Sequence, residues 1–209
     1  MNKSHILHYL QYFGEVDEKT NQYIDECMKE VPTIAQFKAC IMPYHLSHDP
    51  LKIKELDLLL DSSDLSFYFQ NIDECYVIAC TLGIEIDRKI KYYEHINMTK
   101  ALIFDATSNH YLEECCDAYE KTLGYESYTY RFAPGYGDIP LNLNQTFFDV
   151  LQCHKKLGVS LNQGGLLVPM KSMIGIVGIG KNIKKTCLSC LRKDHCSLRK
   201  GGTRCYVID

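Results

Sequence analysis

The sequence lacks the features that mark membrane proteins and nucleic-acid-binding proteins. Its 209 residues contain no apolar run approaching the about 18 residues of a membrane-spanning helix. The formal net charge is −3, so the chain as a whole does not attract polyanions through bulk electrostatics. The N-terminal segment Met-Asn-Lys-Ser-His does not lead into a signal-peptide core. We therefore expect a cytoplasmic protein with no membrane segment and no nucleic-acid partner.

Tryptophan is also absent, whereas cysteine is abundant and unevenly placed. Four of the 11 cysteines crowd into the segment after residue 186. The other seven are scattered in a way that does not suggest a disulfide framework, and we expect most of them to be small buried residues in a reducing compartment. These seven are Cys27, Cys40, Cys75, Cys80, Cys115, Cys116 and Cys153.

No internal repeat or low-complexity linker divides the chain, but its composition changes after Gly180. The last segment is basic and holds the cysteine cluster. A chain of this length is long enough for one domain plus an appendage. The sequence therefore predicts a domain over residues 1–180 and a cysteine-rich module over residues 181–209.

Hydrophobic periodicity predicts a mixture of helices and strands. Residues 4–13 fit a helix or a strand equally well. Asp17 is placed to cap a helix that Pro32 should close, and the alternation over residues 51–60 slips at Glu55. Helices are predicted over residues 18–30, 84–94, 98–123 and 145–156, and strands over residues 34–45, 51–60, 75–82, 126–132 and 173–179.

Residues 131–136, Arg-Phe-Ala-Pro-Gly-Tyr, combine groups suited to a small zwitterionic ligand with a planar ring. Arg131 can form a forked pair with a carboxylate. Pro134 fixes its own φ, and Gly135 permits backbone geometry or close ligand approach that a Cβ would block. Tyr136 offers a flat face and a hydroxyl. The alternative interpretation is a strand that ends in a loop, with Arg131 in solvent and Tyr136 in the core.

Four stretches, in this order and spacing, resemble the activation domain of cobalamin-dependent methionine synthase, here in a stand-alone form. They are residues 75–83 before a long helix, residues 131–136, residues 157–161 after a helix, and residues 169–172 with Gly175. The resemblance covers roughly residues 60–180. It implies an α+β fold with a twisted, mainly antiparallel sheet flanked by helices. It also implies binding of S-adenosylmethionine (AdoMet) and the reductive remethylation of cob(II)alamin, as the activation component of a methyltransferase.

The resemblance also implies roles for individual residues. Arg131 matches the family arginine near the methionine carboxylate, and Ala133 matches a position whose backbone lies against the ligand. Gly135 and Tyr136 complete that motif. Glu113, on the preceding long helix, resembles an acidic residue that faces the ammonium or sulfonium charge of the ligand. A solvated helix glutamate is the alternative for Glu113.

The chain departs from the family in ways that define its expected partner. Ile176 and Val177 stand where the family has an aromatic pair, and no early aspartate can be matched. No Asp-x-His-x-x-Gly cobalt-ligand motif occurs, so cobalamin should be carried by another protein. The expected partners are a corrinoid protein or a methionine synthase that lacks its own activation domain, and a flavodoxin or ferredoxin as electron donor.

The C-terminal cysteines predict a metal centre. Cys187, Cys190, Cys196 and Cys205 are separated by two, five and eight residues. Four thiolates suffice to hold a 4Fe–4S cluster or a tetrahedral zinc ion, and this spacing does not choose between them. Free thiols in a flexible tail are the remaining possibility. The resemblance favours the cluster because reductive activation consumes an electron. Zinc would instead suit a non-catalytic AdoMet-binding module.

Overall fold

The chain forms one main sheet with helices on both faces. The computed structural model describes residues 1–12, 14–187, 190, 193–194, 196–200 and 202. The helices are α1 (Lys3–Tyr9), α2 (Glu18–Ile34), α3 (Ser63–Phe69), α4 (Ile84–Ile96), α5 (Met98–Lys121), α6 (Leu143–Leu151), α7 (Cys153–Leu157) and α8 (Ser197–Lys200). The strands are β1 (Lys38–Ser47), β2 (Lys52–Ile53), β3 (Leu58–Leu59), β4 (Glu74–Thr81), β5 (Ser127–Tyr128), β6 (Ser160–Leu161), β7 (Leu167–Val168) and β8 (Ser172–Gly180).

Six strands form the main sheet, in the order β3-β2-β1-β4-β8-β5. Every neighbouring pair is antiparallel, and β4 lies at the centre with Ile78 opposite Ile41 of β1 and Gly175 of β8. Strands β6 and β7 form a separate hairpin. The predicted α+β fold, an antiparallel sheet flanked by helices, is confirmed.

Between its terminal residues Glu74 and Thr81, strand β4 is an unbroken run of buried residues because both of its faces are covered. Successive side chains point to opposite faces of a strand. Val77 and Ala79 enter the core beneath α3, α6 and α7, whereas Cys80 enters the core beneath α1, α2, α4 and α5. Tyr76 and Ile78 join a third cluster beside the end of α5. The central strand therefore anchors helices on both sides of the sheet.

The structure shows which element residues 4–13 form and where α2 ends. The segment that fitted helix or strand is α1, capped by Asn2, whose Oδ1 accepts the Ser4 N–H at 2.9 Å. The prediction that Pro32 closes α2 is wrong, because α2 continues to Ile34 with Pro32 inside it. A proline this close to the end removes one hydrogen bond from the last turn only, and its φ is compatible with a helix.

The predicted strand over residues 51–60 is also wrong. Strands β2 and β3 are two residues each and flank a 3-10 turn at Lys54–Leu56, after which Asp57 is left-handed with φ 44°. The side chain of Glu55 folds back onto β1, where its carboxylate accepts the His45 N–H at 3.0 Å. The slip in alternation at Glu55 marks this turn.

Two further elements are interrupted. The strand predicted over residues 126–132 is regular only at β5, and resumes as a single bridge between Phe132 and Ile176. Between them the Thr129 hydroxyl accepts the Gly178 N–H at 2.9 Å, which takes that donor from the backbone ladder. The helix predicted over residues 145–156 is two helices, because Gln152 is left-handed with φ 55°.

The start of the predicted C-terminal module is fixed to the sheet edge. The Ile183 N–H donates to the Ser127 hydroxyl at 3.0 Å, and the Lys185 Nζ lies 4.2 Å from the centre of the Tyr128 ring. The boundary at residue 180 stays a prediction. None of the described helices has the length and hydropathy that crossing a bilayer requires.

Gly178 of β8 lies in close contact with Phe69, the last residue of α3, and with Ile72, which follows α3. A Cβ on Gly178 would lie 2.9 Å from the Ile72 Cδ1 and 3.2 Å from the Phe69 Cε1. We predict that Gly178→Ala lowers the free energy of unfolding by about 1–3 kcal/mol through overpacking. Denaturant titration measures this loss.

Ile72→Val removes Cδ1, the atom nearest to the new methyl group, and keeps the Cγ2 atom that would lie 3.1 Å from it. The Gly178→Ala/Ile72→Val double variant should therefore lose less stability than the sum of the two single variants. Simple additivity would contradict a steric cause at this contact.

Candidate ligand-binding site

A groove of about 330 Å³ opens where the residue 131–136 stretch leaves the sheet. Its walls come from that stretch, the start of α6, the β6–β7 hairpin and the start of β8. Small-molecule pockets commonly fall between about 300 and 1,000 Å³. The lining residues are Ala133, Pro134, Leu141, Asn144, Leu166, Leu167, Met170, Ser172, Met173 and Ile174.

A glycine in β8 lets the stretch lie close to the sheet. The backbones of Phe132 and Ile176 exchange two hydrogen bonds of 2.9 Å. A Cβ on Gly175 would come within 3.2 Å of the Phe132 carbonyl oxygen. Because side chains alternate along an extended segment, Arg131 and Ala133 share the face opposite to that of Phe132. The groove at Ala133 is close to Arg131 along the chain, but its lining comes from α6, the β6–β7 hairpin and β8 and, among the described residues, includes none of α5.

The next residues form a tight turn. The Tyr136 N–H donates to the Ala133 carbonyl at 3.0 Å, and the Gly135 N–H donates to the Ile139 carbonyl at 2.9 Å. Gly135 has φ +86°, a conformation that costs little only for glycine. Tyr136 is 48% exposed, so its ring stands at the mouth of the turn.

Asp138 ties this turn to α3. Its carboxylate accepts hydrogen bonds from the Ser62 hydroxyl at 2.5 Å, the Ser63 N–H at 2.7 Å and the Ser63 hydroxyl at 2.5 Å. The Ser62 and Ser63 hydroxyls hold the pKa of Asp138 at about 2. The loop on one wall of the groove is therefore held by a charged anchor.

Arg131 lies in a cluster of acidic side chains from one face of α5. Its guanidinium pairs with Glu113, with the Asp117 carboxylate at 2.7 Å and with the Glu120 carboxylate at 2.5 Å. The spacing of these acids, three and four residues apart, places them on the same helix face. Burial opposes the charge, but the three carboxylates raise the pKa of Arg131, which stays protonated.

Glu120 is the buried member of this cluster. It also accepts the Tyr76 hydroxyl at 2.8 Å, which links α5 to the central strand. Burial raises the pKa of Glu120, and the Arg131 charge opposes that effect. Glu113 and Asp117 differ from it, because their side chains are 42% and 43% exposed.

The structure places the predicted site residues in two adjoining groups. Ala133 lines the groove, with Gly135 and Tyr136 in the turn that follows. Arg131 and Glu113 pair with each other, a contact that the sequence did not suggest. The alternative interpretation, a solvated Arg131 and a core Tyr136, is wrong. The ligand roles of these five residues stay predictions.

Some groove residues carried no signal in the sequence. Asn144 is buried, and its Nδ2 donates to the Gly165 carbonyl at 3.0 Å. Met173 reaches the groove from β8, and Met170 from the segment before it. The Met170 N–H donates at 2.8 Å to Asp87, whose other carboxylate oxygen is buried without a partner among the described residues. An alternating or helical pattern cannot reveal which of its members borders a groove.

Three of the four predicted metal ligands lie in the described part of the chain, and Cys205 lies outside it. Cys187 and Cys190 are joined by a backbone hydrogen bond of 3.4 Å, and the Lys193 N–H donates to the Cys190 carbonyl at 3.1 Å. Among the described residues no three His, Cys, Asp or Glu side chains are grouped as metal ligands would be. The metal centre stays a prediction.

The fold of this chain is similar to that of a solved structure. The α+β architecture is shared with a crystal structure of the MetH reactivation domain bound to AdoHcy, with a TM-score of 0.59 and 15% sequence identity. The match covers 95% of this chain and 76% of that chain. No protein-family model and no curated protein matches the chain. At this identity the likeness shows the fold alone, and to that extent the resemblance found in the sequence is confirmed.

The Asp138 anchor predicts a defined pH dependence of stability. Its folded pKa of about 2 lies below the ordinary value of 3.8. A depressed carboxyl pKa contributes stability that is complete above the unfolded value and is lost as the pH falls through the folded value. The stability difference between wild type and Asp138→Asn should therefore be constant above about pH 5 and shrink from about pH 4 towards pH 2.

Denaturant titrations across this pH range measure the difference. Ser63→Ala is the matched control, because it removes one donor and should reduce the pH-dependent part while keeping the carboxylate. A difference that does not change with pH would mean that the charge of Asp138 is unimportant.

Proposed function

We propose that this chain binds AdoMet in the groove and supports the reductive remethylation of cob(II)alamin on a separate corrinoid protein. The first candidate partner is a cobalamin-dependent methionine synthase without its own activation domain. The observation that carries the proposal is the groove beside residues 131–136, in a fold shared with a reactivation domain that was crystallised with AdoHcy.

The groove fits the apolar part of such a ligand. Its lining is mostly aliphatic and thioether side chains, with Asn144 and Ser172 as polar exceptions. Methionine sulfur makes favourable contacts with aromatic rings, so Met170 and Met173 suit an adenine ring. Gly135 lets the backbone turn sharply after Ala133, which leaves that part of the chain open to a ligand.

The acidic cluster suits the polar end of AdoMet. Three carboxylates surround one guanidinium, so the cluster has an excess of negative charge next to a ligand that carries ammonium and sulfonium groups. A ligand carboxylate that pairs with Arg131 must replace one of the acids. Glu113 and Asp117 are partly solvated and leave at lower cost than buried Glu120. In this proposal Glu120 holds Arg131 while an exposed acid turns towards the ligand cation.

The mouth of the groove is the expected docking side for the corrinoid partner. Bound AdoMet supplies a methyl group from its sulfonium to the reduced cobalt of that partner. Tyr136, Leu141, Leu166 and Met170 are between 42% and 56% exposed around the groove. An apolar rim of this kind favours contact with a partner and excludes water from the reacting groups.

The C-terminal cysteines are proposed to hold a 4Fe–4S cluster, with zinc as the alternative. Such a cluster would supply the single electron, received from a flavodoxin or ferredoxin. Residues 181–187 support this arrangement, since Ile183 and Lys185 fix the start of the module against β5, the strand that leads to Arg131.

The role of Arg131 can be tested without leaving a buried charge unpaired. Arg131→Ala would leave the buried Glu120 carboxylate without a charged partner, a change that typically costs about 3–5 kcal/mol of stability. We therefore predict the behaviour of Arg131→Met/Glu120→Gln, which neutralises both. Calorimetric titration should show about 2–4 kcal/mol weaker AdoMet binding, because a charge-assisted pair is lost.

Two controls make this measurement specific. Glu120→Gln alone measures the part of the affinity loss that comes from changing Glu120, so that the rest of the loss in the double variant can be assigned to Arg131. Decarboxylated AdoMet, which has no carboxylate for Arg131, should bind wild type and the double variant equally. Equal losses for both ligands would contradict the assignment of Arg131, and failure of wild type to bind either ligand would contradict the proposed function itself.

The metal module makes a separate prediction. Cys190→Ser should strip the metal from anaerobically purified protein while AdoMet affinity is unchanged, because the sites use different segments. Remethylation with a flavodoxin or ferredoxin donor should fall in this variant, and a strong chemical reductant should partly restore it. Cys115→Ser is the control, since Cys115 is a partly exposed cysteine outside the module.

The ultraviolet–visible spectrum of the wild-type protein distinguishes a 4Fe–4S cluster from a zinc ion. Broad visible absorbance that bleaches on reduction indicates the cluster. A colourless protein with bound zinc, and equal activity of wild type and Cys190→Ser with the biological donor, would contradict an electron relay and favour the non-catalytic AdoMet-binding module.

A further inference from the structure

The start of α1 is held on α5 through a histidine. The Asn2 backbone N–H donates to the His110 Nε2 at 2.9 Å. His110 is 6% exposed, so this hydrogen bond lies largely out of solvent. Asn2 is also the N-cap of α1, because its Oδ1 accepts the Ser4 N–H at 2.9 Å. The position of the first turn of α1 therefore depends on an acceptor that α5 supplies.

This contact determines which nitrogen of His110 carries the proton. A backbone amide can only donate, so Nε2 must offer its lone pair, and the proton of the neutral ring lies on Nδ1. The imidazolium form has a proton on both nitrogens and cannot accept a hydrogen bond. Protonation of His110 and its hydrogen bond with Asn2 are therefore mutually exclusive.

The groups that face His110 from the α1 side oppose a positive charge on its ring. The His5 ring packs edge-on, with its centre 5.0 Å from that of the His110 ring. The Met1 ammonium pairs with the Glu114 Oε1 at 2.9 Å, and the His110 Nε2 is 3.3 Å from that same oxygen. A charged His110 would therefore lie close to another cation.

Two acids on α5 act in the other direction. Glu114 lies one turn from His110, and Glu113 is close enough to attract a charge on the ring. Towards α2, the Lys3 ammonium is already paired with the Asp25 carboxylate at 2.8 Å. Burial is the largest influence and, with the groups on the α1 side, lowers the pKa of His110 below its ordinary value of 6.5, although both glutamates oppose the shift. The folded chain therefore prefers the neutral ring near neutral pH.

We propose that His110 is an acid-sensitive switch, and that protonation of its Nε2 releases the first turn of α1 from α5. The proton takes the lone pair that the Asn2 N–H uses, and the new Nε2–H turns to the Glu114 carboxylate. That carboxylate is then shared with the Met1 ammonium, so two positive charges face one negative charge. The rest of α1 stays in place because Ile6 is fully buried in the core.

The direction of the pH effect follows from the lowered pKa of His110. The unfolded chain binds a proton at this residue more readily than the folded chain does. The stability that the neutral ring contributes is therefore complete above the ordinary value of 6.5 and is lost as the pH falls through the folded value. This loss begins at higher pH than that of Asp138, so the two effects are separable. The inference rests on the contact between α1 and α5 and not on AdoMet binding.

Nitrogen-15 NMR of the imidazole rings in the full chain tests the switch without a mutation, and it should show the Nδ1–H tautomer of His110 at neutral pH. Hydrogen exchange is then measured at the Ser4 and Ile6 amides, which both donate to Asn2. Corrected for the intrinsic effect of pH, exchange should rise about tenfold between about pH 7.5 and about pH 5.5, as expected for the loss of one hydrogen bond. Amides of α6, on the other face of the sheet, should not change.

His110→Gln separates the switch from a general effect of acid. The glutamine Oε1 can accept the Asn2 N–H in place of Nε2 and does not titrate, so exchange in this variant should stay slow across the whole pH range. His8→Gln is the matched control, because it removes another titratable ring from α1 itself. This control should respond to acid as wild type does.

Three results would overturn the proposal. They are an Nε2–H tautomer of His110 at neutral pH, an equal rise of exchange in wild type and His110→Gln, and unchanged exchange at the Ser4 and Ile6 amides while His110 becomes protonated. If His110→Gln does not fold, the tautomer and the exchange rates of wild type still decide the question.

Discussion

The buried ion pair between Arg131 and Glu120 is the constraint on which the rest of the site depends. Glu120 is in turn hydrogen-bonded to Tyr76, so one network joins the sheet edge, the central strand and α5. Removing Arg131 would leave the buried Glu120 without a charged partner, which is strongly unfavourable, whereas Arg131 without Glu120 still pairs with Glu113 and Asp117. The network lies next to the point where the backbone of Phe132 pairs with Ile176 of β8, just before Ala133 enters one wall of the groove.

Different interactions hold the two walls of the groove in place. The turn after Ala133 is held by Gly135 and by the Asp138 anchor on α3, whereas the opposite wall comes from α6 and the β6–β7 hairpin. Glu113 and Asp117 remain partly solvated at the edge of the buried pair. A rigid buried core with exchangeable acids at its rim suits the recognition of a ligand that carries charges of both signs, because the core stays intact when an outer acid moves.

Much of the fold was predictable from local patterns. The unbroken apolar run of β4 indicated a strand covered on both faces, and the stripe over residues 98–123 indicated α5. Two of the errors occurred where side chains replaced backbone partners, as Glu55 does for His45 and Thr129 does for Gly178. In each case the competing hydrogen bond comes from a residue distant in sequence, so no local pattern contains it.

The sequence by itself determined the α+β class and the concentration of cysteines in the C-terminal segment, because composition, spacing and periodicity are local properties. It also made residues 131–136 the candidate site. Only the tertiary structure decided that Arg131 is buried among the acids of α5 and that Asn144 and Met173 border the groove. Arg131 and Glu120 are 11 residues apart in the chain, and Asn144 and Gly165 are 21 apart; these contacts form because the fold brings those segments together.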